Sequence, residues 1–154
     1  PLVARSELLL FYAARIQLIE QVIRPALARG AWVLADRFEL STWAYQGGGR
    51  ELDKTIIQAL SDFSVQNIRP DLILFLDLPP EQGLQRILER GHIDRIEQEP
   101  LDFFNRVYAT YHEKLQTLEQ AVLIDASKPL AMVQHLIRTT LEHHLVSHDI
   151  ELIQ

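Results

Sequence analysis

Residues 31–50 read AWVLADRFELSTWAYQGGGR. The first five form an apolar run that reads as a short buried strand ending at Asp36. The remainder, from Arg37 to Arg50, is polar and carries three consecutive glycines. The same pattern of an apolar run closed by aspartate recurs at residues 72–76 with Asp77, and at 121–124 with Asp125. Helical spacing of apolar residues fills the intervals, at about residues 6–28, 53–61, 80–90, 101–118 and 130–145. The order is therefore helix, strand, helix, strand, helix, helix, strand, helix. Strands that are continuous apolar runs, separated by helices, predict an α/β fold with a parallel sheet and helices on both faces. In such sheets ligands sit at the carboxyl ends of the strands, which points to the neighbourhood of Asp36, Asp77 and Asp125. Asp77 and Asp125 read as caps of the turns that follow them.

Composition sets the outer bounds. The 154 residues fit one domain, with 47% hydrophobic and 23% charged, enough to bury a core. There is no cysteine, which excludes disulfides and thiolate metal ligands. Fifteen basic against 21 acidic residues give a net charge of −6, with no general attraction to nucleic acid or an anionic membrane. No apolar run reaches the roughly 18 residues of a membrane span, so a cytoplasmic protein is expected. The basic residues are 12 Arg to 3 Lys. Arginine offers a planar fork for phosphate and carboxylate that lysine lacks.

The stretch 36–50 combines arginines, hydroxyls, an amide, aromatics and Gly47-Gly48-Gly49. Those glycines match neither G-x-x-x-x-G-K-[ST] nor G-x-G-x-x-G, so they are no ordinary phosphate cradle. They are expected to supply positive φ and let a ligand approach the backbone. Aromatics and amide for a flat ring, and arginines for an anion, suit a planar ligand that carries negative charge. The bland alternative is a flexible surface loop. Trp43 reads as packing. His143, His144 and His148 read as the surface of a C-terminal helix rather than a metal site, because no third ligand has matching spacing.

Asp36-Arg37-Phe38, Ser41, Ala44-Tyr45-Gln46-Gly47 and Arg50 resemble, in order and spacing, the signature of the thymidylate kinase family. Residues 9–15, LLFYAAR, resemble that family's base-binding helix. Asp71-Leu72, Leu76-Asp77 and Pro80-Glu81 resemble its next strand and turn. Asp94-Arg95-Ile96-Glu97, with Phe103-Phe104 and Val107, resembles its lid and the helix behind it. The likeness is collinear over essentially the whole chain. It implies a P-loop NTPase-like fold of the nucleoside monophosphate kinase kind, one domain over 1–154, with a lid at about 86–100.

The resemblance also implies an activity, ATP-dependent phosphorylation of dTMP to dTDP, with Mg²⁺ bound alongside ATP. By the same likeness Phe11 stacks on the thymine and Arg15 reaches the base edge. Ser41 and Thr42 line the base pocket, Tyr45 packs the deoxyribose, and Gln46 is the neighbouring amide. Arg37 clamps the dTMP phosphate, and Asp36 helps position phosphate, water or Mg²⁺. Arg86, Arg90 and Arg95 lie in the lid, where Arg90 and Arg95 neutralise the transferring phosphoryl. The loop 126–129 borders the adenine of ATP. No metal is assigned to protein ligands, and a homodimer built on the helix at 6–28 is implied.

One family element does not occur in these residues: the P-loop, G-x-x-x-x-G-K-[ST]. The chain is therefore expected to be the C-terminal part of a longer kinase, lacking the opening strand and helix. Two alternatives stand beside a dTMP kinase. One is a nucleotide-binding or dimerising module without turnover, and the other is a kinase for another nucleoside monophosphate.

Overall fold

The computed structural model describes residues 2–151, with side chains as far as residue 147. In chain order the elements are α1 (Ala4–Leu18), a π-helical turn (Ile19–Ile23), α2 (Arg24–Ala28), α3 (Glu39–Thr42), a second π-helical segment (Trp43–Gly49), α4 (Lys54–Val65), β1 (Ile73–Asp77), α5 (Pro80–Arg90), α6 (Leu101–Leu115), β2 (Ala121–Asp125) and α7 (Leu130–Glu151). They fall into two compact units. One comprises Pro1–Arg69 with Glu99–Thr117, and the other Pro70–Gln98 with Leu118–Gln154. No helix among the described residues is long and apolar enough to cross a membrane.

The first unit is helical. Leu8, Tyr12, Trp43 and Ile57 form its buried cluster, with Leu52 and Leu60 packed against it. Leu8 and Tyr12 lie one turn apart on α1, so one face of that helix meets α4. Leu9, Leu10, Leu18 and Val22 stay exposed. Pro25 does not break the helix. It sits in the first turn of α2, and the turn ahead of it widens, with the Arg24 N–H donating to the Ile19 carbonyl. A π turn makes room for the proline ring and its missing donor.

Two expectations are corrected in this unit. Residues 31–35 are not a strand. Trp32 and Leu34 are 77% and 99% exposed. An apolar run becomes a strand only where a neighbouring chain segment completes its hydrogen-bond ladder, and among the described residues this run has no such neighbour. The second correction concerns the glycine-rich stretch, which is helical and almost wholly buried. Its glycines do not supply positive φ; Gly30 and Gly91 are the glycines that do.

The reason for three glycines is close packing. A Cβ on Gly48 would overlap the Thr110 hydroxyl and stand 2.8 Å from the Arg106 carbonyl oxygen. A Cβ on Gly49 would overlap the Phe103 ring and stand 2.9 Å from Val107 Cγ2. The Trp43–Gly49 backbone thus lies directly on α6, and Arg106 donates to the Gly49 carbonyl at 2.9 Å. Helix propensity disfavours glycine, but the tertiary contact overrides it. On the far side Asp53 caps α4 by accepting from the Thr55 N–H at 2.8 Å.

The second unit carries the sheet. β1 and β2 pair in parallel, in a register that sets Asp77 opposite Asp125. α7 packs on β2, and Ile124 and Val133 are buried. α5 ends at Gly91, whose φ of 77° is the left-handed stop that glycine adopts without strain.

The glycine packing yields a graded test. Gly48→Ala and Gly49→Ala should each destabilise the fold by about 1–3 kcal/mol, the usual cost of overpacking. Gly47→Ala meets the Ile57 Cδ1 methyl at 3.2 Å and Trp43 Cε3 at 4.0 Å, and should cost the least of the three. Denaturant unfolding of the three variants checks the order; a Gly48→Ala protein as stable as Gly47→Ala would contradict it.

Candidate functional site

The helical turn after Phe38 gathers two arginines around neighbouring residues. Arg15, from α1, donates to Glu39 Oε2 at 2.9 Å, Thr42 Oγ1 at 2.8 Å and the Phe38 carbonyl at 3.3 Å. Its guanidinium stands 5.2 Å from the Tyr12 ring centre and 5.5 Å from that of Phe38. Tyr12 donates its hydroxyl proton to the other oxygen of Glu39 at 2.8 Å. Burial, reinforced by the Glu39 charge, pushes the Tyr12 hydroxyl above the usual tyrosine range, so it remains a donor.

The second arginine is held one residue away. Arg37 Nε donates to Ser41 Oγ at 3.1 Å, and its guanidinium lies 4.4 Å from the Tyr45 ring centre. Ser41 Oγ is also 2.8 Å from the Tyr111 hydroxyl of α6, and Tyr45 and Tyr111 meet edge to face. Burial raises the Tyr111 pKa, and the hydrogen bond with Ser41 opposes the shift. Arg37 itself is exposed, with φ at 67°. That left-handed backbone costs a non-glycine residue about 1–3 kcal/mol, which the surrounding structure must offset. Asp36 beside it is exposed, as is Phe11, one residue before Tyr12 on α1.

Arg15, Arg37, Ser41, Thr42 and Tyr45 thus assemble around one short helical segment. Gln46 does not join them. It is buried and donates its amide to Glu7 at 2.9 Å. Glu7 is in turn 3.8 Å from Arg50 Nε, and Arg50 donates to Glu99 at 2.6 Å. Glu39 and Tyr111 are the residues the sequence reading passed over. The only available hint was an acid and a phenol at helical positions with no assigned role. Trp43 is buried under the Lys114 ammonium, which lies 3.4 Å from the ring centre.

In the sheet unit the strand-end aspartate Asp125 does cap its turn. It accepts from the Ser127 N–H at 2.9 Å and from the Ser127 hydroxyl, which hold its carboxyl below the usual range. Arg86 donates to the Ala126 carbonyl at 2.9 Å, pinning the loop that follows β2. Arg90 holds both oxygens of Glu97, at 2.7 and 2.6 Å, and donates to the His92 carbonyl at 2.8 Å. Glu97 also accepts from the Asp94 N–H, and these bonds lower its pKa. Arg95 is exposed in the same loop. His143 is exposed and His144 half-buried on α7, and the His148 side chain lies outside the described residues.

Chemically, the arrangement in the helical unit offers two fixed guanidinium groups, two hydroxyls and a set of aromatic faces. That suits an anionic aromatic ligand better than proton transfer or nucleophilic attack, because no activated nucleophile and base stand together among the described contacts. No group of three His, Asp or Glu gathers among the described residues.

A family model described as thymidylate kinase matches residues 2–137. Two curated relatives named thymidylate kinase, from Legionella pneumophila strains Corby and Paris, are 55% and 53% identical over 141 residues. That stretch covers 92% of this chain and 66% of each relative, so the chain spans just under two thirds of their length.

The buried phenols make the fold alkali-sensitive. Tyr12 and Tyr111 bind their protons more tightly folded than unfolded, so this stabilisation is intact below about pH 10 and is lost as pH rises through their raised values. Tyrosinate absorbance should show a late component that Tyr12→Phe reduces, leaving the Tyr111 part, and unfolding free energy should fall above about pH 10. A titration with all phenols ionising together in the ordinary range would contradict it.

Proposed function

The chain belongs to the thymidylate kinase family, and on that premise we propose that it serves the ATP-dependent phosphorylation of dTMP to dTDP. The observation that carries this reading is the pair of neighbouring residues Ser41 and Thr42, which hold Arg37 and Arg15 respectively. Two guanidinium groups fixed that close together can address both ends of one nucleotide. Phe11 stacks on the thymine, Arg15 meets the base edge from a position that the buried Thr42 fixes, and Tyr45 packs against the deoxyribose. Arg37 takes the phosphate by charge-assisted hydrogen bonds. Asp36 lies beside that phosphate, and Gln46 acts from beneath, by bracing Glu7 and α1.

ATP is the co-substrate in this reading, and Mg²⁺ bound with it would supply charge neutralisation at the phosphates. Catalysis of this kind is positioning plus charge neutralisation, with no covalent intermediate. The lid at 86–100 supplies Arg90 and Arg95 to the transferring phosphoryl, while Arg86 stays on the loop after β2. Arg90 must leave Glu97 to do so, and Gly91 provides the hinge. The whole chain acts as one nucleoside monophosphate kinase domain, in the cytoplasm and as a homodimer. The exposed leucines of α1 favour such an assembly.

Calorimetry with dTMP, dUMP, dCMP and thymidine, together with a coupled assay of dTMP-dependent ADP release, tests the reading. dTMP should bind tightest. Arg37→Ala should weaken it on the order of 100-fold, the scale of a lost arginine–phosphate contact, while His143→Ala should leave it unchanged. Absence of dTMP binding, or an Arg37→Ala protein that binds normally, would overturn it.

A further inference from the structure

Arg15 and Arg37 are held by the adjacent residues Thr42 and Ser41, yet they have different electrostatic company. Arg15 is paired with a carboxylate at 2.9 Å, in a slot that leaves its side chain 10% exposed and that of Glu39 18% exposed. The contacts of Arg37 among the described residues are neutral: the Ser41 hydroxyl, the Tyr45 ring and the Tyr111 phenol. Glu39 is itself fixed from behind, because its second oxygen accepts from Tyr12, whose hydroxyl is anchored within 3.2 Å of the Ile57 carbonyl.

We propose that Glu39 is a positioning residue that divides labour between the two arginines: it neutralises and fixes Arg15 for an uncharged carbonyl edge of the base, and so leaves Arg37 to take the phosphate. The proposal rests on the dTMP reading above and deepens it. A guanidinium has five N–H donors, and Arg15 commits three of them to Glu39, Thr42 and Phe38. The remaining donors can meet a neutral acceptor. A phosphate brought to the same place would face the Glu39 carboxylate, a like charge in a poorly solvated slot. At Arg37 the neighbouring carboxylate, Asp36, is exposed, and water screens its opposition to a phosphate. Glu39 therefore works as a sign on the site, rejecting the reversed orientation of an anionic ligand as well as shaping the correct one.

The test compares three ligands: thymidine, which lacks the phosphate; dTMP; and 2-deoxyribose 5-phosphate, which lacks the base, measured by competition. Glu39→Gln should weaken thymidine and dTMP alike by about tenfold, the scale of one charge-assisted hydrogen bond. It should leave 2-deoxyribose 5-phosphate unchanged or tighter, since Arg15 then becomes a second anion site. Glu39→Asp, with a shorter reach to Arg15 and Tyr12, should lose several-fold on thymidine and dTMP and nothing on 2-deoxyribose 5-phosphate. Unaltered thymidine binding in both variants would overturn the proposal, as would an equal loss on all three ligands, which is the mark of a merely structural role. If Glu39→Gln fails to fold, Glu39→Asp decides by the same two criteria. Wild-type protein that binds no dTMP would sink the functional reading and this proposal together. Failure of the Glu39 variants alone leaves that reading standing.

Discussion

The Trp43–Gly49 backbone can lie on α6 only because Gly48 and Gly49 have no side chain, and most of the helical unit follows from that approach. It brings Tyr111 of α6 within hydrogen-bonding distance of Ser41, and Ser41 in turn holds Arg37. It lets Arg106 cap the last carbonyl of the segment. It also turns Trp43 and Gln46 inward, onto Tyr12's cluster and onto Glu7. A methyl group at either glycine would overlap α6, so the contact that carries the arginine, the hydroxyl and the phenol leaves no room for a side chain there.

How much of this was legible in the sequence depends on whether a residue's chemistry is local. The sheet strands, Ile73–Asp77 and Ala121–Asp125, announce themselves as apolar runs stopped by aspartate, and Gly91 announces the end of α5. Residues 36–50 carry the arginines and hydroxyls that the structure gathers on one helical segment, and their side-chain types alone mark the stretch out. The run at 31–35 carries the same apolar signal, but that signal reports hydrophobicity and says nothing about a ladder partner. The triple glycine is ambiguous in principle. Glycine can be selected for positive φ or for its missing Cβ, and only the identity of the neighbour decides. That neighbour, Thr110 on α6, is more than sixty residues away in the chain.

The same limit hid the supporting residues of the site. Glu39 meets Arg15 across 24 residues, and Tyr111 meets Ser41 across 70. Neither distance corresponds to a helical or strand period, so no periodicity could couple them. Arginines draw attention in a sequence because they are rare and chemically loaded. The acids and phenols that give each arginine a direction are visible only when the elements have packed. In this protein those partners separate two side chains that composition treats as equivalent.

Arg37 sits at a backbone angle that glycine would occupy without penalty. The position is therefore one where stability and usefulness pull in opposite directions. Repeated selection for heat resistance, with no nucleotide in the tube, would favour discarding the guanidinium and relaxing the turn. What the arginine brings in exchange is its bond to Ser41 and its seat on the Tyr45 ring, neither of which glycine can make. Laboratory evolution of the chain should treat that turn as a place where gains in melting temperature are a warning sign.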